Sequence, residues 1–284
     1  MNDKLAISLA GVPTEVNSAM KLTLPALRRD YKLKNAAFWG VIKGDLHDYY
    51  IFRGFTTGDI KEQPLVFYSF TGAEWAQLPP LSPKLVEAMN NHGYHIDCQK
   101  PFTGDSSLLL NPPKEEDEAE PEPEEEEEGE QEAKTKPEPE PVTTELHRLK
   151  MMVDRISQDT EIAPIGLYYR TSEGITVNPA FSGVKIEDVT KPAKYALKTA
   201  VIECLSKVDG VNPVPASMWV TPTLAESTPK YTWKIEYDES EQLVLLRNQF
   251  YPGHVAYVVP QAAVCGSVYC GTGVYDASLP FMIR

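Results

Sequence analysis

The stretch Ala36-Ala37-Phe38-Trp39-Gly40-Val41-Ile42 is apolar and aromatic almost throughout. A short run of this kind is typical of a buried strand. The pair Gly44-Asp45 follows as a turn signal, and Asp48-Tyr49-Tyr50-Ile51-Phe52-Arg53-Gly54 is again rich in aromatic residues. Two such runs joined by a glycine-containing turn predict a β-hairpin.

Strand-like runs recur along the rest of the chain, and turn residues separate most of them. Their positions are 65–70, 233–237, 243–246, 255–259 and 267–270. Short strands joined by tight turns, with helices between them, predict an α+β fold. We therefore expect a strand-rich molecule whose mostly antiparallel, twisted sheet or sheets pack against a few helices.

Helical periodicity is clearest just after residue 142. Thr143 or Thr144 can cap the first turn of a helix there. Its apolar residues recur at intervals of three and four and so share one face; they are Leu146, Leu149, Val153 and Ile156. Shorter helices are predicted at residues 84–90, at residues 192–207, and before Pro25, which we expect to limit the first of them along the chain.

An acidic segment at residues 114–141 divides the chain. It holds 15 of the 41 acidic residues and 3 of the 27 basic ones, and its only apolar side chains are Ala119 and Ala133. Such a segment cannot bury enough apolar surface to offset its conformational entropy, so we predict a disordered Glu/Pro insert. Residues 1–113 and 143–284 are then expected to be two parts of one composite folded body.

Most of the net negative charge of the chain lies in this segment, which carries −12 of the formal net charge of −14. The nearly neutral remainder lacks the basic surface that attracts nucleic acid. No apolar run approaches the roughly 18–20 residues of a membrane-spanning helix. The run that follows Met1 is short for the core of a signal peptide. We expect an unexported protein that binds neither nucleic acid nor membrane.

The sequence offers little catalytic chemistry. We find no phosphate-binding loop, no nucleophile elbow and no zinc-protease helix. Gly271-Thr272-Gly273 is interpreted as a turn that needs positive φ. His92, His95 and Cys98 could supply metal ligands only with a fourth ligand from elsewhere. The four cysteines (Cys98, Cys204, Cys265 and Cys270) are expected to be free thiols. No enzyme activity and no cofactor are predicted.

Specific blocks of the chain carry a resemblance to a known family. Before the acidic segment these blocks are Arg28-Arg29-Asp30-Tyr31, Phe38-Trp39-Gly40-Val41-Ile42, Asp48-Tyr49-Tyr50-Ile51, Tyr68-Ser69, Glu74-Trp75, Leu78-Pro79-Pro80 and Phe102-Thr103-Gly104-Asp105. After it they are Arg148-Leu149, Ile162-Ala163-Pro164-Ile165-Gly166, Val177-Asn178, Gly266-Ser267-Val268-Tyr269-Cys270-Gly271-Thr272-Gly273 and Leu279-Pro280-Phe281-Met282. In this order they resemble the radial spoke head protein 9 family, although the acidic segment is longer and more charged than in its animal members.

The resemblance implies a non-enzymatic, structural role. Members of this family are subunits of the radial spoke head in motile cilia and flagella, where they assemble with radial spoke head proteins of the 4 and 6 type. The head relays signals from the central pair of microtubules to the dyneins. The implied location is the axoneme, within the cytoplasm and cytoskeleton, with other spoke head subunits and the central pair apparatus as further partners.

Two other classes of function stay open from the residues alone. The glutamate run would suit an acidic chaperone for basic proteins, and an enzyme site could be assembled from residues distant in sequence. If the body acts by assembly, Tyr257 and Tyr269 are candidate partner contacts, because tyrosine is enriched at interfaces and Pro252 and Pro260 suit an edge strand. Core packing is the alternative role for both tyrosines.

Overall fold

The computed structural model describes residues 2–57, 59–94, 100–111, 141–172, 174–206, 221–229 and 231–282. The helices are α1 (Asn2–Leu9), α2 (Thr14–Asp30), α3 (Pro83–Asn91), α4 (Glu145–Thr160), α5 (Lys198–Ser206), α6 (Leu224–Ser227) and α7 (Leu279–Met282). The strands are β1 (Asn35–Ile42), β2 (Tyr49–Phe55), β3 (Leu65–Ser69), β4 (Ala76–Gln77), β5 (Ile162–Pro164), β6 (Tyr168–Thr171), β7 (Gly174–Val177), β8 (Tyr195–Leu197), β9 (Trp233–Asp238), β10 (Leu243–Asn248), β11 (His254–Val259) and β12 (Val264–Gly271). The predicted α+β, strand-rich class is confirmed.

One eight-stranded sheet organises these elements, in the order β4-β3-β2-β1-β12-β11-β10-β9. Each half of this order is an antiparallel meander of consecutive strands, β1 to β4 on one side and β9 to β12 on the other. The two meanders meet where β1 runs parallel to β12. Two small pairs, β5 with β8 and β6 with β7, lie outside this sheet.

Both faces of the sheet are covered at β2, whose successive side chains point to opposite faces. Tyr50 and Phe52 of β2 face a cluster that includes Met20, Leu24 and Leu27 of α2. Their neighbours Tyr49 and Ile51 face the opposite side. That side packs on the apolar stripe of α4, formed by Leu149, Met152, Val153 and Ile156. The body is therefore a helix–sheet–helix sandwich.

Gly40 makes the junction of the two meanders possible. It pairs with Tyr269 across β1 and β12 and lies at a shift in the β1–β2 register. Its φ of +146° is one that L-residues rarely adopt, and a Cβ there would lie 2.0 Å from the carbonyl oxygen of Tyr269. Only glycine permits this approach of the two backbones.

The predicted local elements are confirmed at most positions. The hairpin is β1–β2, the helix after Thr144 is α4, and residues 84–90 lie in α3. Two predictions were wrong. Helix α2 continues through Pro25 to Asp30, because its apolar face is held by the sheet. The segment 192–207 opens with a 3-10 turn and strand β8, so that its helix begins only at Lys198.

The two flanks of the acidic segment are joined side by side. Residues 112–140 lie outside the described ranges, so the disorder predicted for this segment stays a prediction. Asn111 accepts a hydrogen bond from the Thr143 backbone N–H at 2.6 Å, and its side-chain amide donates to the carbonyl oxygen of Pro141 at 2.9 Å. Leu109 and Thr144 form a β-bridge. The chain thus leaves the body and returns to it at one place.

Replacing Gly40 by alanine should be far more costly than the same change at Gly11. Both residues have positive φ, but a Cβ at Gly11 meets no atom within 4 Å. We expect a loss of about 1 kcal/mol for Gly11→Ala, from backbone strain alone. For Gly40→Ala we expect about 3 kcal/mol or more, because a backbone clash is added to that strain. Urea unfolding of both variants measures the difference; equal losses would contradict this role for Gly40.

Deleting residues 115–140 should leave the free energy of unfolding within about 0.5 kcal/mol of the full chain, because the flanks are already held together. We propose that residues 1–113 and 143–284 unfold as one unit, since β1 and β12 are neighbours in one sheet. Calorimetry of the full chain and of the deletion variant should give one transition each. Two separate transitions, or a stable isolated 143–284 fragment, would refute the single unit.

Buried polar clusters and candidate interaction surfaces

Glu145 is a fully buried carboxylate at the first turn of α4. Hydrogen bonds reach it from residues that precede the acidic segment. The Tyr49 hydroxyl donates at 2.7 Å and the Gly104 N–H at 2.9 Å, while the Thr103 N–H and hydroxyl donate at 3.0 and 2.5 Å. Burial, followed by the interaction with Glu145, raises the pKa of Tyr49. The carboxylate therefore joins α4 to β2 and to the loop at 103–104.

Arg148 lies one turn further along α4 and holds the same loop from the other side. Its guanidinium donates to the carbonyl oxygens of Lys100 and Pro101 and lies 4.2 Å from the centre of the Phe102 ring. The side chain combines hydrogen bonding with a cation–π contact, which the planar guanidinium suits better than lysine. Glu145 and Arg148 together dock the segment 100–104 on α4.

A second polar cluster joins β2, the end of α4 and the start of α5. Glu161 forms ion pairs with Arg53 and with Lys198, the latter at 2.9 Å, and all three side chains are less than a fifth exposed. Burial alone would raise the pKa of Glu161, but the two cations outweigh it and lower the pKa to about 2. Arg53 also donates to the Ser157 hydroxyl, which accepts a further hydrogen bond from Trp39 Nε1.

This cluster borders a cavity of about 190 Å³ that Phe55, Ile60 and Lys150 also line. Opposite charges balance around it, because Arg53, Lys150 and Lys198 face Glu62, Asp154 and Glu161. Glu161 receives a cation on each of its oxygens, and Lys150 is paired with Asp154 at 2.5 Å. Charged side chains that are paired with each other in this way are typical of structural ion pairs, which fix the orientation of packed elements.

His254 is a buried histidine whose two ring nitrogens have no hydrogen-bond partner in the described part of the chain. Its ring lies edge-on to Trp233, 5.9 Å between centres, and Trp233 Nε1 also lacks a partner there. Burial lowers the pKa of His254 to about 3. The imidazole is therefore neutral at pH 7 and packs as a flat, apolar ring.

The residues considered for metal binding or reactivity do not assemble in the described ranges. His92 lies at the end of α3, whereas His95 and Cys98 lie outside those ranges. Within them, no group of three His, Cys, Asp or Glu side chains is placed to hold a metal ion. Cys204, Cys265 and Cys270 are free thiols. Gly273 has a φ of +80°, as the turn interpretation of Gly271-Thr272-Gly273 requires.

Both predicted contact residues lie in the core. Tyr257 on β11 is 2% exposed and Tyr269 on β12 is 1% exposed. The expected edge position is wrong, because β11 and β12 are interior strands; Pro252 and Pro260 lie just outside β11. The Tyr269 hydroxyl accepts a hydrogen bond from Gly273 N–H at 2.8 Å. Core packing is thus the role that the structure shows, and contact with a partner stays a prediction.

The exposed large apolar side chains were not singled out by sequence pattern. They are Leu22, Tyr31, Leu46, Leu109, Val142, Val177, Ile186, Tyr231 and Met282. Tyr231, which is 64% exposed, lies just before the edge strand β9. Its position beside a strand was visible in the sequence, but its exposure was not, because exposure depends on which strand ends the sheet.

A groove between α1 and α2 forms a broad concave surface on the body. It encloses about 570 Å³ over a floor that includes Ile7, Met20 and Leu24, and Lys4 and Lys21 lie on its rim. Within the described ranges, every helix is too short or too polar to span a lipid bilayer.

Comparison with known proteins reveals relatives that match nearly the whole chain. The radial spoke head protein 9 homolog of Homo sapiens is 28% identical over 290 residues, covering 96% of this chain and 94% of that protein. The homolog of Bos taurus is 28% identical over 298 residues, covering 98% of both. The homolog of Danio rerio is 27% identical over 278 residues, covering 95% of this chain and 92% of that protein. No family model matches the chain. The resemblance to the radial spoke head protein 9 family is confirmed.

His254 should make folding sensitive to mild acid. The unfolded histidine has a pKa near 6.5, whereas the folded one titrates near 3. Below pH 6.5 the unfolded chain therefore binds a proton that the folded chain does not, and stability falls. Between pH 7 and pH 5 we expect this residue to remove about 2 kcal/mol of unfolding free energy. Urea unfolding at both pH values measures the loss.

The variant His254→Leu should lose most of this pH dependence, because it keeps an apolar side chain in the core and removes the titrating ring. His47→Leu is the matched control, since His47 is exposed and its replacement should leave the pH dependence as it is. An unchanged dependence in His254→Leu would contradict the assignment.

Proposed function

We propose that this chain, a relative of radial spoke head protein 9 along 96% of its length, is a structural subunit of the radial spoke head in the axoneme of motile cilia and flagella. The observation that carries the proposal is the similarity itself. It covers more than nine-tenths of the relatives' own length in mammals, frog and fish. The body as a whole, and not one short motif, is therefore shared.

The geometry supports a structural role, because the buried charges serve the fold. Glu145 binds the segment 100–104 to α4, and Glu161 binds β2 to α5. The oxygens of each carboxylate accept hydrogen bonds from, or form ion pairs with, other residues of the same chain. Such fully satisfied polar networks fix one arrangement of the packed elements, which suits a subunit that must present a defined shape to its neighbours.

The partners we propose are radial spoke head proteins of the 4 and 6 type, together with other spoke head subunits and the central pair apparatus. In this position the subunit would help to relay signals from the central pair to the dyneins. The exposed Tyr231 offers an apolar side chain for such contacts, and the groove between α1 and α2 offers a concave surface. Interfaces combine apolar anchors of this kind with a polar rim.

Co-expression with a spoke head protein of the 4 or 6 type tests the proposal. We expect the full chain and the variant without residues 115–140 to form the complex equally well, because the folded body makes the contacts. Size-exclusion chromatography with mass determination detects it. A folded chain that forms no complex with either partner type would refute the assembly role.

The same samples test the alternative of an acidic chaperone. A peptide of residues 114–141 should not bind the spoke head partner, and the deletion variant should keep its binding. Binding of basic proteins by the peptide alone, with loss of all partner binding on deletion, would favour the chaperone instead.

Two tyrosine variants separate a contact from a contribution to folding. Tyr231→Ala changes an exposed side chain and should fold as well as the unaltered chain, whereas Tyr257→Ala removes a buried ring and should lower the stability by about 3 kcal/mol or more. Complex formation is measured for each variant beside its unfolding curve. Lost binding in a Tyr257→Ala protein that is still fully folded would place a partner on β11.

A further inference from the structure

The sheet ends at β9 in an edge that is open in the described part of the chain. Strand β9 pairs with β10 along all six of its residues, and no described strand lies on its other side. The opposite edge is β4, which has only two residues. An edge strand presents unpaired backbone N–H and C=O groups that another strand can bind. Of the two edges, only β9 is long enough for a stable ladder.

The side chains of β9 alternate in a way that leaves its core face incomplete. Trp233, Ile235 and Tyr237 point to the cluster around Val244 and Leu246, yet all three are only partly buried. Lys234 and Glu236 lie on the opposite face, with side chains 57% and 42% exposed; they pair with each other at 2.8 Å, and Glu236 also pairs with Arg247 of β10 at 3.0 Å. A further strand beyond β9 would cover the half-buried apolar row on one face and meet these two charges on the other.

The sequence of β9 is complementary to itself about Ile235. In an antiparallel pair of two copies, the two-fold axis is perpendicular to the sheet and passes midway between the two copies of one residue, which is called here the residue on the axis. With Ile235 on the axis, Lys234 of each copy lies opposite Glu236 of the other, and Trp233 lies opposite Tyr237. Opposite charges and aromatic pairs at facing positions both stabilise antiparallel strands.

The neighbouring registers are less favourable. An axis through Lys234 places two lysines opposite each other, and an axis through Glu236 places two glutamates there. Like charges at directly facing positions destabilise a strand pair. A register shifted by a single residue is excluded, because it would place the apolar row of one copy opposite the charged row of the other.

We propose that a second copy of this chain binds at this edge through its own β9, so that two eight-stranded sheets continue into one. The inference rests on the open edge and on the self-complementary register about Ile235, and it does not depend on the proposed function. A pair of short strands buries less surface than a standard protein interface, so the dimer is expected to be weak and concentration-dependent.

Charge-reversal variants test the register. Lys234→Glu brings an introduced glutamate opposite the native Glu236 of the other copy, and Glu236→Lys brings an introduced lysine opposite the native Lys234. Each variant alone should dimerise at least about tenfold more weakly than the unaltered chain. An equal mixture of the two variants should dimerise again, because at both positions a glutamate of one variant then faces a lysine of the other.

Sedimentation equilibrium of the full chain at about 0.15 M salt, where the Debye length is about 8 Å, measures the association. Native mass spectrometry identifies the mixed dimer. Glu241→Lys is the matched control, since this exposed residue lies in the turn after β9 and should leave dimerisation unchanged. Thermal unfolding of each variant shows that it is folded.

Two single-cysteine variants give a second measurement that does not depend on the charges. Ile235→Cys lies on the proposed axis, so its two copies face each other and should form an intermolecular disulfide under mild oxidation. In Tyr237→Cys the two new thiols are four residues apart along the ladder, about 13 Å, and should not cross-link. The unaltered chain is oxidised in parallel to account for its own thiols.

The possible results either refute the proposed dimer or support it. A chain that is still monomeric at about 200 µM, and so dimerises only with a dissociation constant above that concentration, would overturn the proposal. So would single variants that dimerise as well as the unaltered chain, a mixture that stays monomeric, or equal cross-linking at positions 235 and 237. Loss in both single variants with recovery on mixing would establish the register.

Discussion

The close approach of the β1 and β12 backbones at Gly40 and Tyr269 is the constraint on which the rest of the structure depends. The other strand pairings in the described ranges join strands that are neighbours or close together along the chain, whereas this one brings together strands from its opposite ends. Without it the two meanders would be separate four-stranded sheets. Strand β12 must come within hydrogen-bonding distance of β1 at the point where β1 also bulges against β2. A side chain at position 40 therefore has no space.

A second constraint acts across the acidic segment and is electrostatic. Glu145 is removed from water and held by donors of β2 and of the loop at 103–104, so that the helix after the segment is tied to strands before it. A carboxylate in such a place is costly to bury unless every lone pair is satisfied. The arrangement therefore specifies one docking of α4 on the sheet, where an apolar contact would tolerate several. Glu161 imposes the same kind of specificity at the other end of α4.

The sequence was informative where structure is local. Apolar runs, turn residues and the period of α4 predicted the β1–β2 hairpin, the further short strands and the main helix, and hence the fold class. The parallel junction at Gly40 could not be predicted, since nothing in a single strand states which distant strand it joins. The edge position expected for Tyr257 and Tyr269 was wrong for the same reason: amphipathic rings suit a core and an interface equally, and only the strand order shows that β11 and β12 are interior strands. Pro252 and Pro260 mark the ends of β11, where a proline costs no ladder hydrogen bond.

The order of the strands also places the points where the acidic segment joins the body far from the open edge. The acidic segment leaves and rejoins the body beside Asn111 and Thr143, close to the carboxylate that binds Tyr49 of β2. Strand β9 lies five positions from β2 in the sheet, a distance of about 24 Å at the usual strand spacing. Since exposed charges are screened within about 8 Å at physiological ionic strength, the points where the acidic segment joins the body are remote from β9. Without the −12 of that segment the formal net charge of −14 falls to −2, so a large net charge of the body does not oppose the backbone pairing and the side-chain contacts of β9.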